Sequence, residues 1–276
     1  MKSNSQPIKL FVVVAFSCTS LLVSLTPVLA KPTLSSSLSD AYGGLHLRSN
    51  TKTTFAQATT FNQPSLPPGP PPGGRVRGGA KRGGCPLTKP DLTALVAFTK
   101  QPNSVINVWG KTTVERPSWF FYVPYTKNLP YEVEFVLQDQ DSNDIYRKAI
   151  ALPDKAGVIR VSLPTTAPAL TLDKQYRWFF TIDCDKQKDS PPTFVNGVIK
   201  RVELNPAAVK ELQTAEPLKR YAIYAQNGIW YEALMTLAQL RQKNPQDAAL
   251  QAEWQNLLSS IGLKDIAAES ILSDKP

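Results

Sequence analysis

Residues 131–138 read YEVEFVLQ, in which Tyr131, Val133, Phe135 and Leu137 alternate with Glu132, Glu134 and Gln138. Alternation of period two marks a strand with one face in a core and the other in water. GVIRVSLP repeats the pattern with Ile159, Val161 and Leu163 against Arg160 and Ser162. QYRWFFTIDC repeats it with Tyr176, Trp178 and Phe180. WFFYV, residues 119–123, is apolar on both faces and reads as a central strand. NDIYRKAIA, FVNGVIKRV and VINVW (residues 105–109) complete a set of seven. Polar turn stretches, DQDSND, PDKAG and TTAPALTLDK, separate them. Short strands at this spacing predict an antiparallel, immunoglobulin-like β-sandwich.

After Val202 the period changes. Pro206 stands where a helix begins, and PAAVKELQTA follows. LKRYAIYAQ predicts a second helix, ended by Asn227-Gly228. IWYEALMTLAQLRQ predicts a third, with Trp230, Ala233, Leu234, Leu237 and Leu240 at helical spacing. NPQD then introduces a fourth, AALQAEWQNLLSSIG. Tyr224, Gly228, Trp230, Ala233, Leu234 and Pro245 resemble one tetratricopeptide unit. An array of such units needs about three to bury its faces, so a single helical hairpin packed on the sandwich is favoured. The fold class is therefore α+β, with a sandwich over 85–204 and a helical segment over 205–276.

Residues 31–84 show neither period. They are rich in Ser, Thr, Pro, Gly and Gln and include LPPGPPPGGRVRGGAKRGGC, which ends at Cys85. Such a composition buries too little apolar surface to offset its ordering entropy. It predicts a disordered basic linker, stiff where proline dominates and flexible where glycine does. Ahead of it, Lys2 and Lys9 precede the apolar run of residues 10–25, and Val28 and Ala30 sit where a signal peptidase takes small residues. A signal peptide over 1–30, cleaved after Ala30, is expected. The alternatives are an uncleaved anchor, for which the run is short, and lipid attachment at Cys18, whose context is poor.

Charge sharpens this division. The formal net charge is +9. Residues 1–30 carry +2, residues 31–90 carry +7, and residues 91–276 are neutral. The expected folded part thus lacks the basic footprint of a nucleic-acid binder. In an exported protein without Cys18, Cys85 and Cys184 remain and suggest one disulfide. Two free thiols or half a metal site are the alternatives. Zinc needs more ligands, and His46, the one histidine, lies far from both cysteines in sequence.

Candidate chemistry is sparse. Without a histidine after residue 46, a histidine-based triad or metal centre has no base. Asp139, Asp141, Asn143 and Asp144 resemble the start of a calcium loop, but Asp144 stands where glycine belongs and Ile150 where glutamate belongs; a hairpin turn explains them as well. Asp183 and Asp185 share a strand face and could pair as hydrolytic carboxylates or form a solvated strand end. Phe120, Tyr122, Tyr125 and Phe179 offer either an aromatic platform for a sugar or a surface for the helices to dock on. Tyr221, Tyr224, Trp230 and Tyr231 are either helical core or a partner groove. Arg75, Arg77, Lys81 and Arg82 are either a solubilising tether or a weak binder of anionic polymers or lipids.

The motifs RGGAKRGGCP, PSWFFYVPY, EFVLQDQDSNDIY, GVIRVSLPTTAPALTLDKQYRWFFTIDC, NGVIKRVE and YAQNGIWYEALMTLAQLR together resemble the cyanobacterial secreted family "domain of unknown function 928". The resemblance runs from about residue 75 to about residue 270 and brings no catalytic residue with it. It implies an envelope protein of a photosynthetic bacterium. The expectation is a non-enzymatic periplasmic or cell-envelope binding protein with no cofactor, no metal, no nucleic-acid partner and no transmembrane segment after signal cleavage. Its partner would be an unidentified protein or an envelope polysaccharide. The alternatives are a carbohydrate-binding module and, behind it, a hydrolase.

Overall fold

Every alternating segment is a strand in the structure, a computed structural model that describes residues 59–78, 84–102, 104–185, 187 and 189–273. The expected signal peptide, residues 31–58 of the expected linker, Lys81 and Arg82 lie outside the described residues. Nine strands are described: β1 (Thr93–Ala94), β2 (Phe98–Lys100), β3 (Ile106–Thr112), β4 (Ser118–Val123), β5 (Glu132–Gln138), β6 (Asp144–Ala149), β7 (Gly157–Ser162), β8 (Gln175–Asp183) and β9 (Thr193–Arg201). They form a three-stranded sheet, β1-β4-β7, and a six-stranded sheet, β2-β3-β9-β8-β5-β6.

The sheets are not uniformly antiparallel, which corrects the sequence reading. β3 pairs with β9 in parallel, from Trp109 opposite Val198 to Thr112 opposite Arg201. Alternation reports which face is buried and carries no information about strand direction. β1 and β2 are too short for any alternation to show.

Side chains of the two sheets meet in an aromatic layer. Phe121 of β4 stacks on Phe180 of β8 with ring centroids 4.2 Å apart, and Trp119 lies 4.8 Å from Phe135 of β5. Both faces of β4 are buried. Its other face carries Phe120, opposite Arg160 of β7.

Four helices follow: α1 (Pro206–Thr214), α2 (Pro217–Gln226), α3 (Trp230–Lys243) and α4 (Ala248–Ser260). α1 and α2 each have proline in the first turn, where its missing N–H costs nothing. Asn205 caps α1 by accepting Ala208 N–H, and Asp247 caps α4 by accepting the Ala249 and Leu250 N–H groups. α3 lies against the sheets. Trp230 donates its indole N–H to Leu95 O at 2.9 Å, Tyr231 meets Trp119 at 5.9 Å, and Arg160 reaches Met235 Sδ at 3.7 Å. One continuous buried cluster runs from Phe61 and Val76 through both sheets into α2, α3 and α4. No helix among the described residues is long and apolar enough to cross a membrane.

The largest departure from the sequence reading is in residues 59–78, which fall in the expected disordered linker and are built into the fold as a strap. At one end, Thr59 N–H points to Glu253 of α4, and Phe61 packs edge-on against Trp230 with centroids 4.9 Å apart. Asn62 donates its backbone N–H to Ala225 O at 3.0 Å and its side-chain amide to Gln226 O at 2.8 Å. At the other end, Gly73–Arg75 fill the gap where β3 and β9 diverge. Val108 N–H donates to Gly73 O, and Arg75 and Asn196 exchange both backbone bonds at 2.9 Å. Val76 is buried, and its carbonyl accepts Ala94 N–H of the other sheet.

Glycine explains the misreading. Gly74 has φ +128°, and a Cβ there would stand 2.7 Å from Val108 Cβ and 2.8 Å from Asn196 O. The residue allows close backbone approach inside a sheet, a use of glycine that composition cannot distinguish from flexibility.

Candidate functional site

Cys85 and Cys184 form a disulfide, with Cα atoms 5.0 Å apart and a separation of 99 in sequence. It pins the chain just after the strap to the end of β8, so the strap is held at its C-terminal side by a covalent bond.

Two of the four basic cluster residues are committed to the fold. The Arg75 guanidinium sits 4.5 Å above the Phe194 ring. Arg77 Nη2 meets Asp265 at 2.7 Å, and its Nη1 meets Asp91 at 3.3 Å. That hydrogen bond from Arg77 holds the Asp265 carboxyl below the usual carboxylate range. These two arginines belong to the strap and cannot behave as a free polycation.

The candidate carboxylates organise turns. Asp139 Oδ1 accepts the backbone N–H groups of Asp141 and Asn143, both at 2.9 Å, and Oδ2 accepts the Asn143 amide at 3.1 Å. Those bonds, the Asn143 side chain first, hold its carboxyl low. Asp144 accepts from Gln138 across the hairpin and from Arg147 on its own strand. Asp139 and Asn143 thus turn their oxygens and amide on each other, as an Asx-turn between β5 and β6 requires. Asp183 accepts Asp185 N–H at 3.1 Å, and Asp185 accepts Gln187 N–H and Ser190 N–H, both at 3.0 Å. These acids cap the turn beside the disulfide and do not converge on a cleft.

The aromatic candidates divide. Phe120, Tyr122 and Tyr125 are buried, and Tyr125 donates its hydroxyl to Pro86 O at 2.7 Å. Phe179 points the other way. On β8 the buried residues are Tyr176, Trp178, Phe180 and Ile182, so Phe179 projects from the outer face of the six-stranded sheet, in the row Val136–Phe179–Asn196–Arg75. Phe194, half-buried two residues along β9 on the same face, was not singled out in sequence, although the alternation of FVNGVIKRV puts it there. Tyr221, Trp230 and Tyr231 are helical core, while Tyr224 is half-buried. Burial pushes the Tyr221 and Tyr231 hydroxyls well above the usual range. Beside the strap an open groove of about 360 Å³ is lined by Gly74, Arg75, Val76, Arg77, Phe98, Ser104 and Ile106.

Glu232 was missed. It occupies the first turn of α3, buried among apolar neighbours. Its Oε1 accepts the Thr112 hydroxyl and the backbone N–H groups of Thr113 and Val114 at 3.2 and 3.3 Å, while Oε2 has no hydrogen-bond partner among the described residues. Desolvation pushes its carboxyl up despite these donors. The only sequence signal was an acid inside the apolar run IWYEALM.

The solved structures similar to the chain include two of a Parabacteroides merdae β-glucuronidase, one with glycerol in its active site, at 9% and 10% identity and TM-scores of 0.24 and 0.21. Each covers 66% of this chain and 29% or 28% of the glucuronidase, so the chain spans less than a third of that enzyme's length. Likeness at that level establishes neither fold nor activity. No curated protein matches the chain. A family model does match, over residues 77–271, which include both sheets and all four helices. The chain belongs to the family described as Domain of Unknown Function (DUF928).

Proposed function

We propose that the protein is an exported, non-enzymatic interaction protein of the periplasm or cell envelope. In this reading residues 1–30 are a signal peptide, the two sheets are an immunoglobulin-like sandwich, and α2 with α3 is a tetratricopeptide-like hairpin. The source is a cyanobacterium. The observation that carries the reading is the fate of the candidate carboxylates. Asp139, Asp183 and Asp185 use their oxygens on neighbouring backbone N–H groups, which supports a binding role over hydrolysis. The basic residues upstream of the strap (Lys31, Arg48 and Lys52), with Lys81 and Arg82, give weak contact with anionic envelope polymers. The test is affinity capture from an envelope fraction with the full mature chain at low and high salt. Specific, saturable capture of one protein or glycan is expected, with any charge-driven background lost as the Debye length falls from ~10 Å at 0.1 M to ~3 Å at 1 M. Turnover of an envelope glycan or peptide by the pure protein would overturn it.

One observation favours a second reading, a carbohydrate-binding module. Phe179 and Phe194 lie half-buried on an outer sheet face that also carries Asn196, Arg75 and Arg177. Aromatic faces beside planar hydrogen-bonding groups suit a sugar ring. Retention on an envelope-polysaccharide column, lost in Phe179→Ala, would select this reading over a protein partner.

A further inference from the structure

The strap has two anchors and a connector that is only partly packed, with Pro64, Leu66 and Pro67 half-buried. Residues 63–71 have no hydrogen bond among the described residues, and Gln63, Ser65 and Pro68–Pro71 are exposed. The first anchor is small and specific. Asn62 meets the carbonyls of Ala225 and Gln226 at the end of α2, where Ala225 O also accepts the Gly228 N–H at 3.2 Å. Phe61 fills a site against Trp230. Gly228, at φ +70°, makes room for the strap backbone, since a Cβ there would lie 2.7 Å from Asn62 O.

Occupant and site also differ in their place relative to the family match. The domain shared by the family begins at residue 77. Trp230, Ala225, Gln226 and Gly228 lie inside it, whereas Phe61 and Asn62 lie outside. The receptor side therefore belongs to the family domain, and its occupant comes from this chain's own leading segment.

We infer that the turn between α2 and α3 is a binding site for an extended polypeptide carrying a Phe-Asn pair, filled in cis by Thr59–Asn62 and open in trans to a segment of the same chemistry. Recognition combines an aromatic anchor with a backbone N–H and an amide donor aimed at helix-terminal carbonyls, the usual division of apolar affinity and polar register in peptide capture. The connector lets this anchor leave while Gly73–Gly78 stay in the sheets, because among the described residues no hydrogen bond along 63–71 couples the two and the packing of Pro64, Leu66 and Pro67 is partial. A tethered occupant acts at millimolar effective concentration, so a partner segment competes only when it is abundant or held by a second contact. The inference stands on these contacts and does not depend on export or on the basic residues.

The test uses the full chain with a protease site placed in the exposed connector between Ser65 and Pro71. After cleavage of the folded protein, the fragment ending in the connector should co-elute with the rest on gel filtration. An excess of the peptide Thr-Thr-Phe-Asn-Gln-Pro should displace it, with a change in tryptophan fluorescence as the Trp230 environment exchanges. A peptide with alanine in place of both Phe and Asn should bind at least ~10-fold more weakly. Retention that millimolar peptide cannot reverse would overturn the proposal, because the segment is then fixed core. Loss of the fragment with no rebinding of peptide would overturn it as well. If cleavage unfolds the protein, the uncleaved double variant Phe61→Ala, Asn62→Ala decides: a folded variant that captures the peptide supports the site, and one that is unfolded or captures nothing refutes it. None of these readouts involves an envelope fraction, so failure here leaves the broader interaction role standing.

Discussion

Glu232 of α3 accepts the hydroxyl proton of Thr112 of β3, and with it the helices are tied to the end of the six-stranded sheet. The same carboxyl oxygen takes the Thr113 and Val114 N–H groups. Replacing Glu232 with alanine strands these donors in a buried setting and should cost about 2–4 kcal/mol. Burial raises the carboxyl above its ordinary value of 4.5. A raised acid favours its protonated form in the folded state, so its contribution is fully present below that value and is lost as pH rises through the folded pKa. Glu232→Gln removes this dependence. Urea unfolding at a series of pH values from 4 to 8 should therefore show wild type losing stability relative to Glu232→Gln as pH rises. A difference that stays constant across the series would contradict the burial argument.

The Cys85–Cys184 disulfide closes a loop of 99 residues that contains most of both sheets. In the chain-entropy account, a loop of that length contributes at most roughly 4–5 kcal/mol, through the unfolded state. Cys85→Ser with Cys184→Ser should lower the urea midpoint without changing the native near-ultraviolet spectrum. Adding reductant to wild type should reproduce the shift, and adding it to the double variant should do nothing.

The strands and helices were legible because burial writes a period into the sequence. Trp178 and Phe180 inside, with Arg177 and Phe179 outside, fix β8 from the letters alone. The disulfide was legible because export would leave Cys85 with one partner. The parallel β3–β9 pairing was not legible, because pairing direction depends on how distant segments meet. The strap was hidden for a different reason. Its bonds come from backbone groups of Gly73, Arg75 and Val76 and from single side chains such as Asn62 and Arg77, and no periodic side-chain pattern records them. Glu232 was hidden because its three donors lie 118 to 120 positions away.

Two glycines in the strap separate close approach from backbone freedom. Gly69 has φ +100° with nothing within 4 Å of a Cβ, while Gly74 combines φ +128° with contacts to Val108 and Asn196. Gly69→Ala should cost only the left-handed backbone term, about 1–2 kcal/mol. Gly74→Ala should add overpacking of about 1–3 kcal/mol. Thermal melts of the two variants rank them directly, and equal losses would mean that the strap does not sit in the β3–β9 gap.

A chain beginning at Gly84 should not fold like the full protein. It lacks Val76 between the sheets, Phe61 on Trp230, and the backbone bonds to Asn196, Val108 and Ala94. Each buried apolar side chain alone is worth about 1.5–3 kcal/mol, a large part of a typical total of about 5–15 kcal/mol. A chain beginning at Thr59 keeps all of these contacts. Cooperative melting of the longer chain, with a broad or absent transition in the shorter, is expected by near-ultraviolet circular dichroism. Equal melting of the two would return residues 59–78 to the role of a linker.

Arg77 and Asp265 tie the strap to the single helical turn Lys264–Ile266 after α4, with paired hydrogen bonds of 2.8 and 2.7 Å. The arrangement is bidentate, but the side chains are 33% and 48% exposed, so solvent screens the pair. A double-mutant cycle with Arg77→Gln and Asp265→Asn should return a coupling of about 0.5–1 kcal/mol, smaller at high salt. The pH dependence runs opposite to that of Glu232. Asp265 is held below its ordinary value of 3.8, chiefly by the Arg77 hydrogen bond. A lowered acid contributes stability that is present above the ordinary value and lost as pH falls through the folded pKa. Wild type and Asp265→Asn should therefore differ at neutral pH and converge in acid, below the range in which the Glu232 contribution changes with pH. A stability gap between wild type and Asp265→Asn that persists at pH 2 would show that the Asp265 carboxylate is not what holds the strap at that point.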